Sequence, residues 1–191
     1  MIKELGTALR VTVISIVIFG LVYPLVMTLI AQLLFPRQAN GSLVSVNGKV
    51  IGSAIIGQLW TKPQYFHGRP SVAGKGYDPT STGGTNLGPT SKKLIDATKA
   101  TIGALEKENP NASGAPPIDL VTSSASGIDP DISPEAAYWE APRVAKARNL
   151  SLSSVNAVVA QHVRGRTFGF LGEPRVNVLE LNLALDGTKP D

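Results

Sequence analysis

A long apolar run near the N-terminus divides the chain into two parts. Residues 11–35 contain no charged side chain, and the run is bounded by Arg10 and Arg37. A helix rises about 1.5 Å per residue, so this run can cross the roughly 30 Å hydrocarbon core of a bilayer. The pattern therefore predicts a single transmembrane helix at residues 11–35, with an N-terminal segment at 1–10 and a soluble domain at 36–191.

A cleaved secretory signal is the alternative interpretation of this run. Signal cores hold about 7–15 apolar residues and end at a small-x-small cleavage site. This run is longer and reaches Pro36 without an Ala-x-Ala sequence, so an uncleaved anchor is favoured. Lys3 and Arg10 precede the run, whereas Arg37 alone follows it closely. The positive-inside rule then predicts a cytoplasmic N-terminus and a C-terminal domain on the outer side of the membrane, which in a bacterium is the periplasm.

The hydrophobic pattern after residue 36 predicts one mixed α/β domain. Apolar positions on both sides of Asn47-Gly48, a favoured type I′ turn pair, predict a hairpin at residues 42–56. Apolar residues at helical spacing predict helices at 91–108, at 133–148 and from Ser151 or Ser153 onwards. Short or alternating apolar runs predict strands at 118–122 and 176–185.

A loop rich in Gly, Ser, Thr and Pro covers residues 71–90, and loops of this length tend to be functional or disordered. Its last part, residues 83–90, leads into a predicted helix N-terminus, where free amides can hold an anion. The GxxxxGK[ST] spacing of a P-loop is missing. The favoured interpretation is therefore a tight loop that packs on the domain or on a partner protein. The weaker nucleotide-binding candidates are Gly83, Gly84, Thr85, Asn86, Gly88 and Thr90.

The composition argues against several kinds of functional site. The chain has no cysteine, which excludes disulfides and thiol catalysis. Its two histidines, His67 and His162, lie far apart without the acidic spacing typical of metal sites, so no metal site is predicted. The net charge is +4, yet Lys92-Lys93 is the single adjacent basic pair, so nucleic acid is not an expected partner.

The residues predict no catalytic centre. Ser123, Ser124 and Ser126 lack a surrounding GxSxG motif. The charged positions of the helix at 133–148 are interpreted as a solvated face; they are Glu140, Arg143, Lys146 and Arg148. These patterns indicate a membrane-anchored accessory domain, with a free periplasmic binding module and a membrane-anchored hydrolase as alternative classes.

Several blocks in order then resemble one family. The most specific are residues 65–71 (YFHGRPS), 83–90 (GGTNLGPT) and 126–134 (SGIDPDISP), supported by 119–122 (DLVT) and 176–186 (VNVLELNLALD). Together they resemble the C subunit of the bacterial Kdp potassium-transporting ATPase, the KdpC family. The resemblance covers essentially the whole chain.

The resemblance implies a non-catalytic subunit of an ATP-driven potassium importer in the inner membrane. The implied partners are a potassium-channel-like subunit, a P-type ATPase subunit, a small single-helix subunit and the lipid membrane. The family is described as a catalytic chaperone that raises the ATP affinity of the ATPase subunit, so ATP is a ligand expected only through that subunit. A periplasmic domain cannot touch cytoplasmic ATP, which would make this role indirect.

We also expect a docking surface on the domain. The loop at 74–90 and the segment at 119–134 are its predicted parts. The candidate docking residues are Phe66, His67, Arg69, Leu87, Ile128 and Asp129. The alternative function is a module that covers or feeds the potassium entrance without any nucleotide role.

Overall fold

The computed structural model describes residues 2–188, and the chain divides into two compact units, residues 1–43 and 44–191. The first unit is helical and consists of α1 (Ile2–Ser15), a π-helical stretch (Ile16–Val22), α2 (Tyr23–Leu34) and α3 (Pro36–Ala39). The helix from Glu4 to Leu34 has 31 residues and meets the length and composition required to cross a membrane.

This helix begins earlier than the predicted residues 11–35 and ends one residue sooner. Pro36 explains the end, because a proline ring disfavours helical backbone in the preceding residue, and Phe35 has φ −136° and ψ 55°. Pro24 lies in the first turn of α2, directly after the π-helical stretch. A proline removes one backbone hydrogen bond from a helix, and a π-helical turn next to it accommodates that loss.

The second unit is a mixed helix and sheet domain, which confirms the predicted fold class. Its elements, starting with the strand at the boundary between the units, are β1 (Leu43–Val46), β2 (Lys49–Ser53), α4 (Lys92–Glu108), α5 (Ile118–Val121), β3 (Asp131–Ile132), α6 (Pro134–Arg148), α7 (Leu152–His162), β4 (Val163–Arg164), β5 (Arg175–Asn177) and α8 (Val178–Leu185).

The strands form two small sheets. β1 and β2 pair as the predicted hairpin, and Asn47 (φ 52°) and Gly48 (φ 72°) have the backbone of a type I′ turn. The other sheet has the antiparallel order β3-β5-β4. Its central residue is Val176, which lies opposite Ile132 on one side and Val163 on the other.

The main core lies where α6, α7 and α8 pack with this second sheet. Val144, Val155, Val176 and Leu181 are fully buried there together with Phe66, which comes from the loop after β2. Burying a side chain of this size contributes roughly 1.5–3 kcal/mol. The core therefore anchors the start of the long loop to the helices.

One predicted strand is a helix instead, and another is a strand only in its first two residues. Residues 118–121 form the single turn α5, with Leu120 and Val121 buried, because a short apolar run fits a buried helical turn as well as a strand. In the predicted strand at 176–185, β5 ends at Asn177, whose side chain accepts a hydrogen bond from the Glu180 amide and caps α8. α8 is buried on most sides, so no polar face reveals its helical period.

The other helices agree with the sequence pattern. Ser133 caps α6 by accepting a hydrogen bond from the Ala136 amide, and Ser151, rather than Ser153, caps α7 through the Ser154 amide. Ser91 occupies the N-cap position of α4, although its side chain makes no capping hydrogen bond. None of the residues of α4 is buried, so this helix packs only at the edge of the domain.

Candidate functional site

Two segments, residues 67–90 and 119–134, meet through hydrogen bonds, and we call them the paired loops, although the second also contains most of α5, the strand β3 and the first residue of α6. The Ser71 hydroxyl donates to the Gly127 carbonyl at 2.6 Å, and the Gly83 amide donates to the Ser126 carbonyl at 2.9 Å. The Ser71 hydroxyl oxygen also accepts a hydrogen bond from the Tyr77 amide at 2.8 Å. These hydrogen bonds tie the first loop, which has no regular secondary structure, to the second.

Gly127 is required for this close approach. Its φ is +72°, a conformation that side chains with a Cβ adopt rarely. A Cβ at this position would lie 2.7 Å from the Ala73 Cβ and 2.8 Å from the Gly83 carbonyl oxygen. Both neighbours belong to the opposite loop, so any larger residue would force the paired loops apart.

A salt bridge crosses the paired loops on their partly exposed side. The Arg69 guanidinium lies 3.2 Å from the Asp129 carboxylate. The Tyr77 hydroxyl donates to the Arg69 carbonyl at 2.6 Å and holds the arginine backbone in place. Burial, followed by the negative charge of Asp129, raises the pKa of Tyr77 to about 12.

This pKa predicts a loss of stability at alkaline pH. A phenol whose pKa is higher in the folded state stabilises the fold below its ordinary pKa of 10.0, and that contribution disappears as pH rises towards 12. We expect unfolding free energy to fall between these two pH values, and to fall less in Tyr77→Phe. Urea unfolding of both proteins at several pH values measures the difference. If the free energy of unfolding fell equally steeply with pH in both proteins, the prediction would be contradicted.

A cleft of about 420 Å³ opens beside the paired loops. Its walls come from the loop of Arg69, from α5 and β3, from the start of α6 and from the segment that leads into β5. Five carboxylates and two guanidinium groups line it, namely Asp119, Asp129, Asp131, Glu135 and Glu173 with Arg69 and Arg175. The cleft is therefore acidic overall.

Asp131 is the most constrained of these carboxylates. Arg175 lies 3.2 Å away, and the Asn177 side-chain amide donates to Asp131 at 3.1 Å. Burial raises the pKa of Asp131, although the Asn177 hydrogen bond and the Arg175 charge oppose the shift. Asp119 has a structural role, because its carboxylate accepts hydrogen bonds from the amide and the hydroxyl of Ser133.

A buried ion pair between Glu140 and Arg143 of α6 contacts the chain where the first of the paired loops begins. Glu140 is 0% exposed and Arg143 is 6% exposed, and their side chains are 2.6 Å apart on α6. Arg143 also donates to the carbonyls of Pro63 and Tyr65, while Glu140 accepts the His67 amide at 2.7 Å. α6 thus fixes the chain at the point where it enters the first loop.

The interpretation of this helix face as solvated was wrong for Glu140 and Arg143. Lys146 is exposed as expected, whereas the Arg148 side chain is largely covered and donates to the Gln64 and Leu185 carbonyls. The ion pair is missed because its other hydrogen-bond partners are two backbone carbonyls and one backbone amide of a distant loop. Asn182 is missed for the same reason, since its side-chain amide exchanges two hydrogen bonds with the Phe66 backbone.

The predicted docking residues have different environments. Phe66 is fully buried, so its side chain packs in the core and presents no surface to a partner. His67, Arg69, Leu87, Ile128 and Asp129 are partly exposed on the paired loops. The Ile128 carbonyl accepts a hydrogen bond from Gly57, which adds a third segment to the same site.

The nucleotide-binding candidates lie apart from the cleft. The Gly83 amide donates its hydrogen bond to the Ser126 carbonyl. Gly84 lies close to the opposite loop, because a Cβ added there would be 3.2 Å from the Ala125 Cα. Asn86 has a φ of +52°, and the chain then turns through a hydrogen bond from the Ser91 amide to the Gly88 carbonyl. Thr85 and Thr90 complete this run, and none of the six candidates lines the acidic cleft.

The fold and the site are those of a mixed α/β domain that follows a candidate membrane-spanning helix. Among the described residues, one helix is long and apolar enough to cross a membrane, and the mixed α/β domain holds its hydrogen-bonded paired loops beside an acidic cleft. Within residues 2–188, no group of three or more His, Cys, Asp or Glu side chains is arranged to hold a metal ion.

Comparison with known proteins identifies the family. The model of the KdpC family, described as the K⁺-transporting ATPase c chain, matches residues 5–187, so the chain belongs to this family. It is 53% identical over 189 residues to a potassium-transporting ATPase KdpC subunit of Koribacter versatilis, covering 98% of this chain and 96% of the relative. The corresponding subunit of Myxococcus xanthus is 57% identical, covering 97% of this chain and 90% of the relative.

The family resemblance found in the sequence is thereby confirmed. The chain is a subunit of the K⁺-transporting ATPase and has an accessory role in potassium import.

Proposed function

We propose that this chain stabilises the importer by docking its paired loops on partner subunits, with no catalytic residue of its own. The observation that carries the proposal is the hydrogen bonding of residues 67–90 to 119–134, with Leu87 and Ile128 partly exposed. A surface that is ordered before binding loses little conformational entropy when it binds. The partners are the channel-like subunit, the P-type ATPase subunit and the small single-helix subunit.

The proposed location of the domain is the periplasm, with residues 1–10 in the cytoplasm. The charges that flank the apolar run support this orientation. From the periplasm, the chain raises the ATP affinity of the ATPase subunit indirectly, as a catalytic chaperone acting through a partner that has two states. Such coupling across a membrane requires the domain to bind one of those states more tightly.

The acidic cleft favours a second candidate function. Five carboxylates against two guanidinium groups produce a local negative potential, which concentrates cations. A domain placed over the ion entrance would then cover it and feed potassium to the channel-like subunit. Neutralising Glu135 and Glu173, both at the cleft, should lower the transport rate at low potassium without changing complex recovery.

The docking proposal predicts that charge at the paired loops prevents assembly. We expect Leu87→Asp and Ile128→Asp each to abolish co-purification of the other subunits with a tagged chain, because a partner would have to bury an unpaired carboxylate. Ile95→Asp is the matched control, since Ile95 is a similarly apolar, exposed residue on α4. Normal recovery and full transport in the first two variants would contradict the proposal.

The orientation is tested with a single cysteine, because the natural chain has none. Ser113 is exposed in the connection between α4 and α5, so Ser113→Cys leaves the paired loops intact. We expect a membrane-impermeant maleimide to label this variant in intact cells. If labelling required permeabilisation while a periplasmic control protein reacted in intact cells, the domain would be cytoplasmic, and direct contact with ATP would replace the indirect role.

A further inference from the structure

Helix α4 is attached to the domain less tightly than the two helices that form most of the core. None of its 17 residues is buried, whereas eight residues of α6 and two of α7 are. We propose that residues 85–108, which we call the α4 arm, open away from the core and close again as one unit, and that docking of a partner subunit closes the arm. The inference rests on the proposed docking function and concerns its regulation, because the arm includes Leu87 at the end of the first paired loop.

Hydrogen bonds hold the chain firmly on either side of the arm. Before it, the Gly83 amide donates to the Ser126 carbonyl. After it, Asn109 is 3% exposed, and its side-chain amide donates to the Trp139 carbonyl at 2.5 Å. Among the residues that the structure describes, those from 85 to 107 make no hydrogen bond outside that stretch except with Asn109. Asn109 is therefore the hinge of the arm.

The packing that keeps the closed arm on the domain is incomplete. Leu105 packs against the main core but is only partly buried. Leu94 and Ile102 are also partly buried, and Ile95 is 42% exposed. Each side chain therefore contributes less than the roughly 1.5–3 kcal/mol of a fully buried one. Glu108 lies 3.9 Å from the His67 ring, but this carboxylate is half-exposed, and exposed ion pairs are weak.

The sequence of α4 makes it a weak helix once it leaves the domain. Ser91 makes no capping hydrogen bond, and Lys92 and Lys93 place positive charge at the positive end of the helix dipole. Gly103 lies inside the helix, where glycine costs about 1 kcal/mol relative to alanine. Even alanine-rich helices of about 15 residues are marginal in water on their own. Opening of the arm therefore also unfolds α4 and exposes its amides to hydrogen exchange.

The position of Leu87 connects the opening of the arm to docking. When the arm opens, the hydrogen bonds of Ser71 and Gly83 still join the paired loops, but Leu87 moves away with the arm. A partner that contacts Leu87 and Ile128 together binds the closed state more tightly than the open one. Binding of this kind shifts the population towards the closed state.

Hydrogen exchange of the full chain in detergent, measured by mass spectrometry, tests the inference. α7 is the reference helix, because Val155 and Val159 are fully buried and Ser151 caps it. We expect peptides of α4 to exchange at least about 100-fold faster than peptides of α7, although α4 has 17 residues and α7 has 11. In the assembled complex, exchange of α4 should slow by about tenfold or more.

Gly103→Ala and Ala104→Gly are a matched pair of variants for this test. A Cβ at Gly103 would have no atom within 4 Å, so alanine there changes helix propensity without adding a contact. Ala104 is exposed on the same helix. We expect Gly103→Ala to slow the exchange of α4 about fivefold and Ala104→Gly to accelerate it by a similar factor, with α7 unchanged in both.

The outcomes separate failure of this inference from failure of the docking proposal. Exchange of α4 as slow as that of α7, or equal changes of both helices in the variants, would overturn the opening of the arm and leave the docking proposal intact. Fast exchange of α4 that stayed the same in the assembled complex would overturn its closure on docking. Failure of the docking proposal itself would be seen separately, as normal recovery of the complex in Leu87→Asp.

Discussion

Replacing Arg143 with alanine is expected to lower the free energy of unfolding by about 3–5 kcal/mol. The change leaves the fully buried Glu140 carboxylate without its cation and leaves the Pro63 and Tyr65 carbonyls without their donor. Urea unfolding of the full chain in detergent measures the effect, followed by the fluorescence of Trp60 and Trp139.

Lys146→Ala is the matched control for this prediction. Lys146 lies on the same helix three residues further on, but its side chain is exposed, so its loss should change stability by no more than about 0.5 kcal/mol. The double variant Glu140→Gln, Arg143→Leu should recover part of the loss, because it leaves no unpaired buried charge. Equal stability of Arg143→Ala and Lys146→Ala would show that the ion pair does not support the fold.

Replacing Phe66 with alanine is expected to destabilise the isolated chain by about 3–5 kcal/mol, because Phe66 is fully buried in the main core. The same urea unfolding measures this effect before any partner subunit is present. Phe66→Leu should retain more of the stability, since leucine fills more of the space that alanine leaves empty.

Leu87→Ala provides the contrast to Phe66→Ala. Leu87 is partly exposed on the paired loops, so its truncation should change stability little and reduce the recovery of the complex instead. An unchanged free energy of unfolding in Phe66→Ala, combined with loss of complex recovery, would contradict the burial of Phe66 and restore it as a docking residue.

These predictions place the stability of the domain and its proposed docking function on neighbouring but separate residues. The first loop follows directly from Phe66 and from the contacts of Glu140, so a change in the core also displaces the paired loops. Complex recovery is therefore informative only for variants whose unfolding free energy is close to that of the natural chain.

The sequence by itself determined the features that depend on local residues. The apolar run at 11–35 identified the candidate membrane helix, and Asn47-Gly48 identified the first hairpin. Ser133 was recognisable as the start of one helix, and Ser151 or Ser153 as the start of the next, because a cap is a contact across three residues. The family was recognisable because whole blocks of residues, in order, carry more information than any single motif.

Only the tertiary structure decided which residues are buried and which segments meet. Helix α8 is buried on most sides, so its sequence shows no polar face at helical spacing, and α5 is too short to show a period. Glu140 and Arg143 resemble surface residues until a loop more than 70 residues away covers them. Two of the hydrogen bonds that join the paired loops are accepted by backbone carbonyls, which every residue type provides, so these long-range contacts leave no pattern along the chain.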